Sequence, residues 1–384
     1  MSYRLFEMLK MLISTPSISS TIKKFDQSNL DVIELLANWL DKIGFKIEIL
    51  PIDDNHNKYN LVAILGPKNN ISKGLVLSGH SDTVPYDEGK WNTNPFQLTE
   101  LNGRLYGLGT SDMKSFFAII ISSIEELNLR SLKQPLIIIA TADEESSMAG
   151  ARSLIKSGRQ LGSYAIIGEP TDLRPVSKHK GTIAKNITLM GTSGHSSNPK
   201  SGNSALEGIY DVLGALIKWR ETIQTKFIDS IFPVPVPTVN FAYIKGGDSF
   251  NRICAQCTLH IDIRILPLME ISQITDDIEK IVKQIAGKRN LQYTLSSLIP
   301  VVLPMETSKN SKLLTYCEII TGYKATGVSY TTEGSLFSSM GLETVILGPG
   351  NIEQAHKPNE YIEVKNIQPM IKIIKKLISK FCLG

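Results

Sequence analysis

Short apolar runs alternate with helical spacing through the first half of the chain. LDVIELLANWLDKIG sets Leu30, Ile33, Leu36, Leu40 and Ile43 at helical intervals and closes on Gly44, a residue suited to a helix C-cap. GLVLSGH, PLIIIATADEE and YAIIGEP read as buried strands running into polar residues, and ETVILGPG repeats the pattern near the end. Between the first two, SDMKSFFAIIISSIEEL puts Met113, Phe116, Phe117, Ile120, Ile124 and Leu127 on one helical face. Apolar strands separated by amphipathic helices predict an α/β fold, a mostly parallel sheet covered by helices. MSYRLFEMLKMLIS carries Glu7 and Lys10 inside its apolar pattern and reads as an amphipathic helix rather than a signal peptide.

From Gly181 to about Arg289 the texture changes. TIAKNITLM reads as a strand and SALEGIYDVLGALIKW as a helix. TVNFAYIKGG and ICAQCTLHIDIRI follow as strands, MEISQITDDIEKIVKQIAG as a helix and LQYTLSSL as a last strand. The order β-α-β-β-α-β is the ferredoxin-like pattern, with the Pro-rich FPVPVPT as the long connection before the second strand. The pattern predicts an inserted α+β domain over 181–289, inside a larger domain made of 1–180 and 290–384.

Composition narrows the function classes. Hydrophobic content of 42% with 20% charged residues is that of a soluble globular protein. The charge of +4 comes from 41 basic against 37 acidic residues with no polybasic block, so neither nucleic acid nor an anionic membrane is an expected partner. No apolar run approaches the roughly 18 residues of a membrane span, and a cytoplasmic protein is expected. Four cysteines do not make a disulfide framework. Cys254 and Cys257 form a lone CxxC on a predicted strand, where residues three apart point to opposite faces, so a zinc knuckle is not expected.

The polar residues after the apolar runs are the candidate chemistry. In open α/β sheets, sites lie beyond the carboxyl ends of the strands. His80 and Asp82 follow LVLSG, Asp143, Glu144 and Glu145 follow LIIIATA, and Glu169 follows AIIG. Asp112 opens the FFAIII helix, and His356 follows the fourth strand through GPGNIEQAH. Singly each has an ordinary reading: a surface histidine, a helix-cap neighbour, a turn, or acids favoured by the following SSMAGARSLIK helix. Together at one end of one sheet they form a nitrogen and oxygen donor set suited to metal. Two adjacent acids can split roles, one ligating and one moving protons.

GHSDTVP, YGLGTSDMKS, ATADEESSMAGA, IIGEPT and GTSGHSS, in this order and spacing, resemble the M20 family of dinuclear zinc peptidases and deacylases. The resemblance covers essentially the whole chain. HKG at His179, NRIC at Asn251, DIR at Asp262, TTEG at Thr331 and GPGNIEQAHKPNEYIE resemble the branch that deacetylates N2-acetylornithine. It implies two Zn2+ per subunit, with Co2+ able to substitute, and a zinc-peptidase-like catalytic domain. His80 and Glu169 would bind one metal, Glu145 and His356 the other, and Asp112 both. Asp82 would orient the His80 imidazole, and Glu144 would be the general base and acid acting on a water that the metals activate. The product pair would be ornithine and acetate, in arginine biosynthesis. A desuccinylase of N-succinyl-diaminopimelate, a broader N-acyl amino acid amidohydrolase and a non-catalytic binding protein of the same family are the alternatives.

The same resemblance makes the inserted domain a dimerisation domain and lid. His195 would donate to the oxyanion across a homodimer; its ordinary reading is a surface histidine in a Gly/Ser loop. Arg264 lies on the polar face of Thr258, His260, Asp262 and Arg264, where it can hold a substrate carboxylate or pair with Asp262. Asn251 and Thr332 complete the implied contacts to a small N-acyl amino acid. His56 and His260 read as solvated or structural, and His179 as a possible site neighbour. Gly334-Ser335-Leu336 stands where this branch usually carries Ala-Pro-Phe, so fine specificity is the least transferable property.

Overall fold

A computed structural model describes residues 2–52 and 55–384; the side chains of 55, 56 and 68–70, and with them the reading of His56, lie outside that description. The chain forms two compact units, Met1–Ser177 with Thr307–Thr326 and Thr332–Gly384, and Lys178–Glu306 with Gly327–Thr331.

In the first unit, strands Leu136–Thr141, Leu75–His80, Tyr164–Ile167 and Glu343–Ile346 lie side by side and parallel. Antiparallel strands Asn55–Leu65 and Lys46–Ile52 extend one edge. Every residue of Leu75–His80 and of Leu136–Thr141 is buried, which is why they read as continuous apolar runs rather than alternating ones. Leu30–Ile43 is the predicted helix and closes on Gly44 at φ 102°, a conformation that glycine adopts without a Cβ clash.

The helix Ser115–Glu125 departs from its predicted amphipathic pattern: every residue from Ser115 to Ile124 is buried. It packs against the helices Tyr3–Ser14 and Val364–Ile378 as well as the sheet, so no face is left for water. Met113 precedes this helix and Leu127 follows it. Ser123, part of the apparent polar face, satisfies its hydroxyl by donating to the Ile119 carbonyl at 2.7 Å.

The second unit holds an antiparallel sheet in the order Thr238–Gly246, Gln256–Ile265, Gly181–Met190, Gln292–Ser297, with helices Ala205–Lys226 and Ile271–Lys288. This is the ferredoxin-like arrangement. Its limits reach past 181 and 289, because Gln292–Ser297 pairs with Gly181–Met190 and Met305 pairs with His179. Along Gln256–Ile265 burial alternates, with Leu259, Ile261, Ile263 and Ile265 inward. Cys254 precedes that strand; it and Cys257 are both buried, free, and outside any cluster of three or more metal-ligating groups among the described residues. Among the same residues no helix is long and apolar enough to cross a membrane.

Candidate metal centre

Four parallel strands that end together bring distant segments to one place. His80 ends its strand, and Asp82 follows two residues later. After Thr141 the chain turns sharply: Asp143 has φ 56°, and its carbonyl accepts the N–H groups of Ser147 at 3.0 Å and Met148 at 2.6 Å. The next helix begins only at Ala149, so Glu144 and Glu145 lie outside its first turn and the helix dipole does not account for them. Glu169 follows Gly168, where a Cβ would stand 2.1 Å from the Phe116 ring. The missing side chain lets the first turn of Ser115–Glu125 close on the strand end, with Asp112 just before it. His356 arrives from the loop after Glu343–Ile346.

These side chains converge. His80 Nε2 lies 3.0 Å from Asp112 Oδ1, and His356 Nε2 lies 3.5 Å from Asp112 Oδ2, so the Asp112 carboxylate spans the two imidazoles. His356 Nε2 is also 2.9 Å from Glu145 Oε2. Ligating atoms of His80, Glu144 and Glu169 all lie within 4.8 Å of one another, and so do those of His80, Asp112 and Glu145. Five of the six implied ligands and proton carriers thus fall into two groups sharing His80, and His356 joins through its contacts with Asp112 and Glu145.

Asp82 lies between the His80 ring and the turn that carries Glu144 and Glu145. The His80 Nδ1–H donates to the Asp82 main-chain carbonyl at 3.0 Å, while Asp82 Oδ1 stands 3.7 Å away. In the neutral ring that bond leaves the Nε2 lone pair free for a metal. The Asp82 carboxylate instead accepts the N–H groups of Glu144 at 3.3 Å and Glu145 at 3.2 Å. The carboxylate thus braces the turn while standing 3.7 Å from the ring that the carbonyl of the same residue holds.

Crowding of buried acids sets the electrostatics. Burial, then the charge of Glu169, pushes the Glu144 carboxyl well above its ordinary range. Burial and Asp112 do the same to Glu169, and more weakly to Glu145. Asp112 moves the other way: burial opposes its charge, but hydrogen bonds from His356 and His80 outweigh it and hold the carboxyl low. Burial also works against a charged His80, yet the Asp112 hydrogen bond raises it well above an ordinary imidazole. His356, held by Asp112 and Glu145, is pushed up to about 10.

Two further acids support this cluster and stand outside the sequence prediction. Glu360 is buried and accepts N–H groups of Ser111 at 2.7 Å, Asp112 at 2.9 Å and Gly109 at 2.9 Å, which fixes the Asp112 loop from the segment that also carries His356. Glu333 is buried and accepts from the Thr141 hydroxyl at 2.8 Å, and burial pushes its carboxyl up to about 7. Their only sequence signal is an acid inside the quoted motifs, NEYIE and TTEG.

Thr332 is buried and its hydroxyl accepts the Gly334 N–H at 2.9 Å, leaving its own proton to donate. The remaining candidates belong to the second unit. His195 is exposed; its Nδ1 accepts the Ser197 N–H at 3.2 Å, so the neutral ring carries its proton on Nε2. Asn251 is exposed and accepts from the Ser249 hydroxyl at 2.7 Å. Arg264 pairs with Asp262, Nε to Oδ1 at 3.0 Å, while Nη1 donates to the hydroxyls of Thr182 at 2.9 Å and Thr331 at 3.1 Å. His260 stacks on Tyr243 with centroids 4.7 Å apart, the structural reading. His179 is buried, donates Nδ1–H to the Lys180 carbonyl at 2.8 Å, and is driven down to about 4 by burial.

The sequence and fold also align with known proteins. The model of Peptidase family M20/M25/M40 matches residues 76–380. The chain is 44% identical over 378 residues to the acetylornithine deacetylase of Proteus mirabilis, covering 98% of this chain and 97% of that one. It is 43% identical over 376 residues to the acetylornithine deacetylase of Shigella sonnei, again with 98% and 97% covered. Among solved structures, an M20 family metallo-carboxypeptidase from Sulfolobus solfataricus matches with a TM-score of 0.76 at 18% identity over 99% of both chains. A dinuclear metal binding peptidase of the M20 family from Bacillus subtilis matches with a TM-score of 0.69 at 16% identity, over 98% of this chain and 97% of that one. At such identity the likeness is one of fold.

Proposed function

The chain belongs to peptidase family M20/M25/M40 and is an amidohydrolase, and from that premise we propose that it deacetylates N2-acetyl-L-ornithine by metal-dependent hydrolysis, releasing L-ornithine and acetate in arginine biosynthesis. The observation that carries the reaction type is the convergence of two ligand groups on His80, with Glu144 in one of them. The substrate rests on the acetylornithine deacetylases of Proteus mirabilis and Shigella sonnei.

The donor set fits two divalent cations, Zn2+ with Co2+ able to substitute, because imidazole and carboxylate suit both. Carboxylates raised first by burial and then by the charge of neighbouring acids are groups that a cation would hold ionised. His80 and Glu169 would hold one ion and Glu145 and His356 the other, with Asp112, which lies between the two imidazoles, serving both. Such a pair lowers the pKa of a water and polarises an amide carbonyl.

The protein's own groups do the rest. Glu144 accepts the proton of the attacking water and hands it to the leaving amine, the work a carboxylate beside the reacting centre can do. Asp82 holds the turn that places Glu144 in one ligand group and Glu145 in the other. His195, with its proton on Nε2, donates to the developing oxyanion, and in this reading it comes from the partner of a homodimer built on the inserted domain. Arg264, Asn251 and Thr332 bind the substrate, with the guanidinium taking its carboxylate.

Acyl release by the purified zinc-loaded protein tests the proposal, read as acetate from N2-acetyl-ornithine and as succinate from N-succinyl-diaminopimelate. Turnover of the acetyl substrate alone supports it. Turnover of the succinyl substrate alone reassigns the substrate, and no turnover of either with metal bound overturns the reaction.

A further inference from the structure

A fully buried lysine stands behind the turn that carries Glu144 and Glu145. Lys58 lies on the strand Asn55–Leu65, paired with the strand that ends in Thr141. A buried ammonium is costly unless its charge and donors are met. Here Nζ lies 2.8 Å from Asp143 Oδ1, 2.8 Å from Asp26 Oδ1 and 3.2 Å from Ser19 Oγ. The Ser19 hydroxyl donates to the same Asp143 oxygen at 2.6 Å, so this side chain is gripped twice.

Two residues further along the same strand face, Asn60 holds the turn again. Its Oδ1 accepts the Ala142 N–H at 3.1 Å, and its Nδ2 donates to the Gly150 carbonyl at 2.9 Å. On the other side, the Asp82 carboxylate takes the N–H groups of Glu144 and Glu145. The turn is therefore clamped between a strand and a carboxylate, and Lys58 is the charged member of the strand side. Asp143 has φ 56°, a conformation unusual for a residue with a side chain, which the surroundings must enforce.

We propose that Lys58 is a positioning residue for hydrolysis: by anchoring Asp143 it sets the directions in which Glu144 and Glu145 leave the turn. The proposal rests on the roles given above to those two acids. Nζ lies equally close to Asp26 and Asp143, so what separates positioning from plain charge neutralisation is that positioning runs through Asp143 alone.

The test uses the full-length zinc-saturated enzyme and four variants: Lys58→Met, Asp143→Asn, the two combined, and Asp26→Asn. In Lys58→Met, kcat falls roughly 10- to 100-fold with KM within about twofold, because orientation at the reacting centre is lost while substrate contacts remain. Asp143→Asn shows the same split and covers the case in which Lys58→Met does not fold. The combined variant is no slower than the worse single one, since both remove one anchor. Asp26→Asn keeps kcat within about twofold. Zinc affinity by chelator competition falls on the order of 10- to 100-fold in Lys58→Met and Asp143→Asn, a readout of Glu145 independent of turnover. Wild-type kcat in both single variants, multiplicative losses in the combined one, or equal losses in Asp26→Asn would each overturn the proposal. An inactive wild type defeats the assigned reaction, and the zinc affinities still decide whether Lys58 orients the turn.

Discussion

Asp112 and His195 are both candidate site residues, held in opposite ways. Asp112 is buried, its carboxylate lies between His80 and His356, and its main-chain N–H is captured by Glu360. His195 is exposed, and its ring bonds Ser197, two residues along the same loop. The contrast extends to their units. Glu144, Glu145 and Glu169 crowd acids whose repulsion a rigid frame must hold together, and the frame is present: strand ends, Asp82, Asn60, Lys58 and Glu360. Asn251 and Arg264 have local partners and open surface. Asp112 and Glu169 are buried and fixed by folding, while His195, Asn251 and the His356 ring lie exposed.

The largest effect that sharpens this contrast belongs to Glu144→Gln. The amide keeps the shape but cannot take a proton, so acetate release falls on the order of 10⁴-fold, the upper end of what general acid–base catalysis supplies. Zinc content measured on the same sample stays at the wild-type level, and a variant above a tenth of wild-type rate removes the proton-carrier role. His195→Ala comes next, with kcat lower by on the order of 10²–10³-fold, the loss typical of one oxyanion donor. Its thermal midpoint stays with the wild type, because an exposed loop residue contributes little to the core. A clear drop in midpoint would place His195 among the structural residues and break the comparison.

His179 gives the third effect, on stability rather than turnover. Burial lowers its pKa from 6.5 to about 4. Between those values the unfolded chain binds a proton that the folded one does not, so stability is full above pH 6.5 and falls as pH drops toward 4. Linkage makes that loss on the order of 3 kcal/mol. Denaturant unfolding of the wild type and of His179→Gln at pH 7, 5.5 and 4 measures it, and the variant shows a shallower slope. Equal slopes would mean that the ring titrates normally.

What was legible in the chain follows from the same physics. Apolar runs that stop at His80, Asp143–Glu145 and Glu169 announce strand ends carrying chemistry, and all three ends meet in the structure. The supports were silent, because their partners are main-chain N–H groups or residues far along the chain. Glu360 meets Gly109, Ser111 and Asp112 across about 250 residues, and Lys58 in KYNLVAIL looks like a solvated strand lysine until Asp143 folds over it. Asp82 was legible as a site residue but not in its contact: spacing in HSD permits the imidazole, while only the fold brings the two N–H groups of the turn to its carboxylate. Likewise a one-face pattern cannot reveal that Ser115–Glu125 is buried on every side.

Arg264 carries the smallest effect and decides between two uses of one side chain. Its pair with Asp262 is about a third exposed on both partners, side-chain exposures being 34% and 32%, so as a strand-surface ion pair it adds little. Exposed pairs contribute about 0–1 kcal/mol. Its planar fork also reaches the hydroxyls of Thr182 and Thr331, which hold the guanidinium at a set angle. Lysine keeps the charge but not the fork. If the guanidinium takes the substrate carboxylate, Arg264→Lys raises KM roughly tenfold, the equivalent of one weakened charge-assisted hydrogen bond. Uniform binding is lost, so kcat changes less than KM, and the denaturation midpoint moves little. If the side chain serves only Asp262, KM stays at the wild-type value while Asp262→Asn and Arg264→Lys cost the same small stability. Steady-state kinetics beside unfolding curves separate these, because the first outcome moves binding without the fold and the second moves the fold without binding.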